Sequence, residues 1–218
     1  MSKGRLVRPF ACTPMTPIAR FSRRLRFGSP IIVVSGLPRS GTSMLMQMLG
    51  AGGLPLMIDD EHAADEANPQ GYFELDAVQD LTSGFDLSWL DVTRGKAVKV
   101  HSPLLVCLPE RYNYRVILMQ RPLREVIASQ RLPYSQRLVQ EYDQHQRKIH
   151  ALLAARPCFS ALTVDYHDVL ADPEQQARRV RWFLRRPLSL RGMTAVVNER
   201  LYRSRITDIE PVPAGSLR

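Results

Sequence analysis

The stretch Gly36-Leu-Pro-Arg-Ser-Gly-Thr-Ser43 has the residue types and spacing to hold an anion. It follows a β-branched run, Ile31 to Ser35, that reads as a buried strand. It opens an apolar stretch, Ser43 to Leu49, that reads as a helix ended by Gly50, Gly52 and Gly53. A glycine-framed loop in that context aims backbone N–H groups and the positive end of a helix at a negative group. The spacing is that of the phosphate loop G-x-x-x-x-G-K-[ST], with Thr42 in the lysine position. That lysine reaches the outer phosphates of a nucleoside triphosphate, so its loss counts against ATP or GTP hydrolysis. The cation lies inside the loop instead, at Arg39.

Further groups could complete a site. Lys99-Val-His101 follows a short apolar run, and a neutral imidazole can take a proton near neutral pH. Arg121 ends the run Tyr114 to Met119, and Ser129 lies eight residues beyond it. That is a little over two helical turns, so the pair shares roughly one helix face, a guanidinium fork beside a hydroxyl donor. Tyr166 follows the run Ala161 to Asp165 and could offer a ring face to a base. Each has a plainer reading: a strand-ending histidine, a surface ion pair, a core tyrosine.

The loop Pro-Arg-Ser-Gly-Thr-Ser resembles the 5′-phosphosulfate loop of sulfotransferases that use 3′-phosphoadenosine 5′-phosphosulfate (PAPS), above all the tyrosylprotein sulfotransferases and related bacterial proteins. The resemblance runs over roughly residues 31–185. It implies that Arg39, Ser40, Gly41, Thr42 and Ser43 hold the 5′-phosphosulfate, with Arg39 also stabilising charge on the bridging oxygen. It implies that Arg121 and Ser129 hold the 3′-phosphate and that Tyr166 stacks near the adenine. Lys99 and His101 resemble the Lys-x-His of the cytosolic branch, where the histidine is the general base. The tyrosylprotein branch uses a glutamate about twenty residues past the loop. Here that region holds Asp59, Asp60 and Glu61, with Asp65 and Glu66 beyond, so a carboxylate base stays open. Met44 stands where the cytosolic branch has a tryptophan against adenine. The resemblance implies PAPS as co-substrate and no metal.

These groups need a scaffold that brings distant segments to one edge. Runs at 31–35, 97–100, 114–119 and 161–165 read as strands. Helical patterns at about 122–130, 134–155 and 173–184 alternate with them, and Ala177, Val180, Phe183 and Leu184 share one side of the last. Such alternation predicts an α/β fold, a P-loop-type parallel sheet flanked by helices in a single domain. Ligands of such sheets bind at the carboxyl ends of the strands.

The 218 residues carry a net charge of +9, unevenly distributed. Residues 1–29 read as a basic, disordered arm without acids and without the apolar region of a signal peptide; residues 30–205 as the domain; and 206–218 as a loose tail. Ser40 to Ile58 is uncharged but is punctuated by Gly, Pro and Ser/Thr, so it does not read as a membrane span. From Ser40 to Thr93 there is no Lys or Arg, and an acidic insert at about 55–80 reads as an acceptor-side lid. Cys12, Cys107 and Cys158 show neither metal-ligand nor CxxC spacing, which suits a reducing, cytoplasmic setting. The expected partner is a small-molecule or peptide acceptor with a hydroxyl or amine, with no nucleic acid and no membrane span. Two other readings remain at this point. One is a P-loop kinase with Asp165 as its metal carboxylate; the other is an inactive nucleotide-binding module whose basic arm meets RNA or an anionic membrane.

Overall fold

The computed structural model describes Ser22 and residues 25–59, 73–84 and 86–197. Asp60, Glu61, Asp65 and Glu66, most of the arm and the tail at 206–218 lie outside the described residues.

Five strands form one sheet: β1 (Ile31–Gly36), β2 (Leu56–Met57), β3 (Ala97–Lys99), β4 (Tyr114–Gln120) and β5 (Phe159–Asp165). Their order is β2-β3-β1-β4-β5, and every pairing is parallel. All six residues of β1 are buried. Ile31 and Val33 enter one core cluster with Val98, Val116 and Phe159. Ile32 and Val34 enter the other with Leu45, Met46 and Val180. A central strand covered on both faces has no polar side to show, hence a continuous apolar run. This is the α/β parallel-sheet fold that the alternating runs predict.

The helices are α1 (Thr42–Ala51), α2 (Asp80–Ser83), α3 (Trp89–Val92), α4 (Leu123–Ser129), α5 (Gln136–Ala155), α6 (Tyr166–Ala171), α7 (Pro173–Leu184) and α8 (Leu190–Ala195), with 3-10 turns at Asp76–Gln79 and Ser102–Cys107. Four strands are expected from the sequence and five are found. The extra one, β2, is a two-residue edge strand paired with Ala97 and Val98, too short to show a period. Helix α8 has no clear pattern of its own. It forms because the Ser189 hydroxyl accepts from Gly192 N at 3.1 Å and Met193 packs, fully buried, against Gly52. No helix among the described residues is long and apolar enough to cross a membrane.

Two segments read as loose are tied down where they are described. At the end of the arm, the carbonyls of Phe27 and Gly28 accept from Arg94 and from Asn113. In the acidic insert, Asp59 N donates to Glu74 O at 2.9 Å, and Asp76 N donates to the Asp59 carboxylate at 2.6 Å. These two bonds pinch the chain together on either side of residues 60–72 and fix Glu74 beside β2.

Candidate active site

The loop after β1 is shaped by glycine and by a left-handed arginine. Gly41 has φ +100°, and a Cβ on it would stand 2.5 Å from the ring of Tyr166. Arg39 has φ +70°, a conformation that costs a side-chain-bearing residue free energy and is held by its surroundings. Gly41 is the N-cap of α1 and no side chain caps the first turn. The first N–H groups of that helix therefore point outward with the positive end of the dipole behind them. The Ser40 hydroxyl is buried and has no hydrogen-bond partner among the described residues. A buried donor without a partner is costly and suits a loop shaped for an oxyanion.

The carboxyl ends of β1, β3, β4 and β5 deliver the other residues. Arg121 follows β4 and Tyr166 follows β5; α4 returns Ser129 to the loop. Arg39 Nε donates to Ser129 Oγ at 3.2 Å, and an Arg121 Nη donates to the Arg39 carbonyl at 3.3 Å. Arg39, Arg121 and Ser129 thus form one group. Arg121 also donates through Nε to Glu125, 2.8 Å away and fully buried, whose other oxygen lies 2.9 Å from His167 Nε2. Gln130 supports the loop from the same helix, donating to the Pro38 carbonyl at 2.8 Å and accepting from the Tyr142 hydroxyl.

Tyr166 is nearly fully buried. Gly41 lies against its ring edge, and the Arg121 guanidinium sits 4.5 Å from the ring centroid. The ring thus supports the loop, and one of its faces carries the Arg121 cation. Asp165, the carboxylate of the kinase reading, caps α6 by accepting from His167 N at 2.8 Å and from Asp168 N. Both bonds fall on Oδ1, so one oxygen of this carboxylate serves the helix.

Lys99 and His101 meet the loop from β3. Lys99 Nζ lies 3.5 Å from Ser43 Oγ and 2.8 Å from Glu74 Oε1; His101 Nε2 lies 3.4 Å from that same oxygen. The hydrogen bond from His101, helped by Lys99 and opposed by partial burial, holds the Glu74 carboxyl down at about 2. Burial lowers the pKa of Lys99, Glu74 opposes that shift, and the positive charge of Arg39 adds to it. With Nε2–H donating to Glu74, the lone pair of His101 is on Nδ1, which is buried and has no partner among the described residues.

Two members were not read from the sequence. Glu125 sits four residues after Arg121, an i,i+4 signal that was available. Glu74 had none, because its partners come from another strand across the insert.

No family model matches this chain, and no curated protein matches it in sequence. Solved structures do resemble it. The sulfotransferase domain from the curacin biosynthetic pathway aligns at TM-score 0.50 and 15% identity, over 78% of this chain and 78% of that one. Sulfotransferase STF1 from Mycobacterium tuberculosis H37Rv aligns at TM-score 0.49 and 18% identity, over 82% and 75%. A sugar kinase from Janibacter sp. HTCC2649 aligns at TM-score 0.42 and 16% identity, over 78% and 99%. At these identities the likeness to the curacin domain is one of fold, an α/β P-loop-type sheet, and the other two alignments are weaker still.

Proposed function

We propose that this chain is a sulfotransferase that moves a sulfuryl group from PAPS to a hydroxyl or amine acceptor. The observation that carries this reading is the contact of the loop with a proton-handling cluster. Ser43, at the loop's end, lies 3.5 Å from Lys99, and Lys99 shares Glu74 with His101. Group transfer of this kind needs an anion cradle and a base side by side, and no lysine at the loop's usual outer-phosphate position.

The residues fit the donor. The open N–H groups of α1, the orphaned Ser40 hydroxyl and Arg39 suit its 5′-phosphosulfate. Ser129 and the outer edge of Arg121 suit its 3′-phosphate. Bound there, PAPS supplies the sulfuryl group. Arg39 and Lys99 would face the oxygen on which charge builds as the S–O bond breaks. His101 would accept the acceptor's proton, with Glu74 orienting the ring and stabilising the imidazolium. Glu74 itself, held near 2, is a poor base and a good orienter. A cytoplasmic setting belongs to the same reading, since Cys12, Cys107 and Cys158 have neither CxxC nor metal-ligand spacing.

A kinase reading has less behind it, since Thr42 replaces the phosphate-loop lysine and one oxygen of Asp165 is taken by a helix cap. Thermal shift with PAPS, adenosine 3′,5′-bisphosphate and Mg-ATP separates the two, because a specific ligand raises the melting temperature by mass action. Stabilisation by the first two supports the proposal; stabilisation by Mg-ATP alone overturns it.

A further inference from the structure

We infer that the end of the molecule opposite the phosphate loop is a docking face for an anionic phospholipid surface, centred on Trp182. Trp182, on α7, is 71% exposed. The segment from Pro173 to Ala195 carries Arg178, Arg179, Arg181, Arg185, Arg186 and Arg191 against a single acid, Glu174. Arg178, Arg181 and Arg185 are exposed: Arg178 lies one turn before Trp182, Arg181 is next to it, and Arg185 follows the helix in a left-handed conformation. The apolar side of the same helix is already used, because Ala177, Val180 and Leu184 are fully buried against the sheet. Arg178 is paired with Glu174, and Arg179 donates to Gln176 and to the Thr163 carbonyl, while Trp182, Arg181 and Arg185 are left outward.

The position of this patch follows from the topology. Helix α7 leaves the carboxyl end of the sheet and runs back along β5. Its last carbonyl, that of Leu184, accepts from Arg115 near the start of β4. Arg186 reaches Gly95, whose N–H donates to the Pro30 carbonyl ahead of β1. Phe27 and Gly28 are held at this same end, by Arg94 and Asn113. At the opposite end lie the loop and the acidic insert, which carries Asp59, Glu74 and Asp76.

The face around Trp182 is therefore basic, with Arg181 and Arg185 outward beside the indole. A planar anionic surface fits such a face, and docking by this end leaves the phosphate loop facing water. Arginines attract acidic lipid headgroups, and tryptophan settles at the headgroup level. A nucleic-acid strand favours a groove with successive stacking rings, and here one ring stands on a convex helix.

The test is binding of the full chain to phosphatidylcholine vesicles with and without 20–30% phosphatidylserine, roughly the acidic fraction that gives a cytoplasmic-type surface potential. Trp89 is buried, so a blue shift of tryptophan emission on binding reports Trp182, and Trp182→Phe is its control. The expected result is co-sedimentation with the acidic vesicles only, weakened by salt, with the blue shift present. The paired change Arg181→Glu and Arg185→Glu should lower partitioning by about tenfold or more, at about fivefold per basic residue lost. Exposed changes of this kind leave the core untouched, and adenosine 3′,5′-bisphosphate binding should be unchanged. No binding to acidic vesicles overturns the proposal. So does binding with unshifted emission and no loss in the charge-reversed chain, or quenching of Trp182 by single-stranded RNA without vesicle binding.

Discussion

Arg39 Nε donates to Ser129 Oγ at 3.2 Å, joining a loop residue to the end of a helix ninety positions along the chain. The contact brings the loop cation to the hydroxyl that would hold a second anionic group. Two anion subsites that share one guanidinium suit a ligand with phosphates at two places on its ribose.

Arg39→Ala should abolish turnover while circular dichroism and the melting temperature stay near those of the wild type. Arg39 is on the ligand side and in a strained conformation, so the fold does not depend on it. Arg39→Lys should keep partial activity, since the charge remains and the planar fork is lost. A near-wild-type rate in Arg39→Ala would remove the loop cation from the mechanism.

His101→Ala should lower kcat by about 10²–10⁴, the usual worth of a general base, with little change in donor affinity. The comparison is with Asp60→Asn and Glu61→Gln. If those two stop transfer and His101→Ala is nearly silent, the base belongs to the acidic insert.

Glu74→Gln tests the carboxylate through pH. Its folded-state pKa, about 2, is below the ordinary 4.5. The ionised form therefore stabilises the fold above the ordinary value, and that contribution is lost as pH falls toward 2. Melting temperatures should differ between wild type and Glu74→Gln at pH 7, and the gap should narrow between pH 5 and pH 2. A gap that does not change with pH would mean that the pair with Lys99 and His101 is not made in solution.

Gly41→Ala should both destabilise and impair donor binding. The position needs φ +100°, and the added Cβ would meet the Tyr166 ring at 2.5 Å. A left-handed conformation costs about 1–2 kcal/mol for a residue with a Cβ, before the clash is counted. A variant that melts and binds as the wild type does would show the loop to be looser than described.

Much of this architecture was legible because backbone chemistry writes itself locally. The run Ile31 to Ser35, the glycines at 36 and 41 and the apolar turn after them define strand, loop and helix within twenty residues. α7 could be bounded from its sequence, since Asp172-Pro173 starts it and its apolar face repeats at helical spacing. Glu74 was not legible, because its partners Lys99 and His101 come from across the insert and only the fold joins them. Tyr166 was visible as a candidate ring for the adenine base, and its support of the loop was not. Its place beneath Gly41 depends on how closely β5 brings α6 to the loop. Arg121 carries a similar lesson: it was read as a ligand for phosphate, and it is also half of a buried pair with Glu125. Removing one member of such a pair costs about 3–5 kcal/mol, so Arg121→Ala would confound binding with folding.

Ser129 is therefore the better handle on the central claim, and calorimetry the most direct measurement. Adenosine 3′,5′-bisphosphate should bind at least tenfold tighter than AMP, since one charge-assisted hydrogen-bonded contact is worth roughly 1.5–3 kcal/mol. Ser129→Ala should shrink that ratio while leaving AMP affinity unchanged. Equal affinities for the two nucleotides in the wild type, or tighter binding of Mg-ATP than of either, would contradict the assignment of a PAPS site.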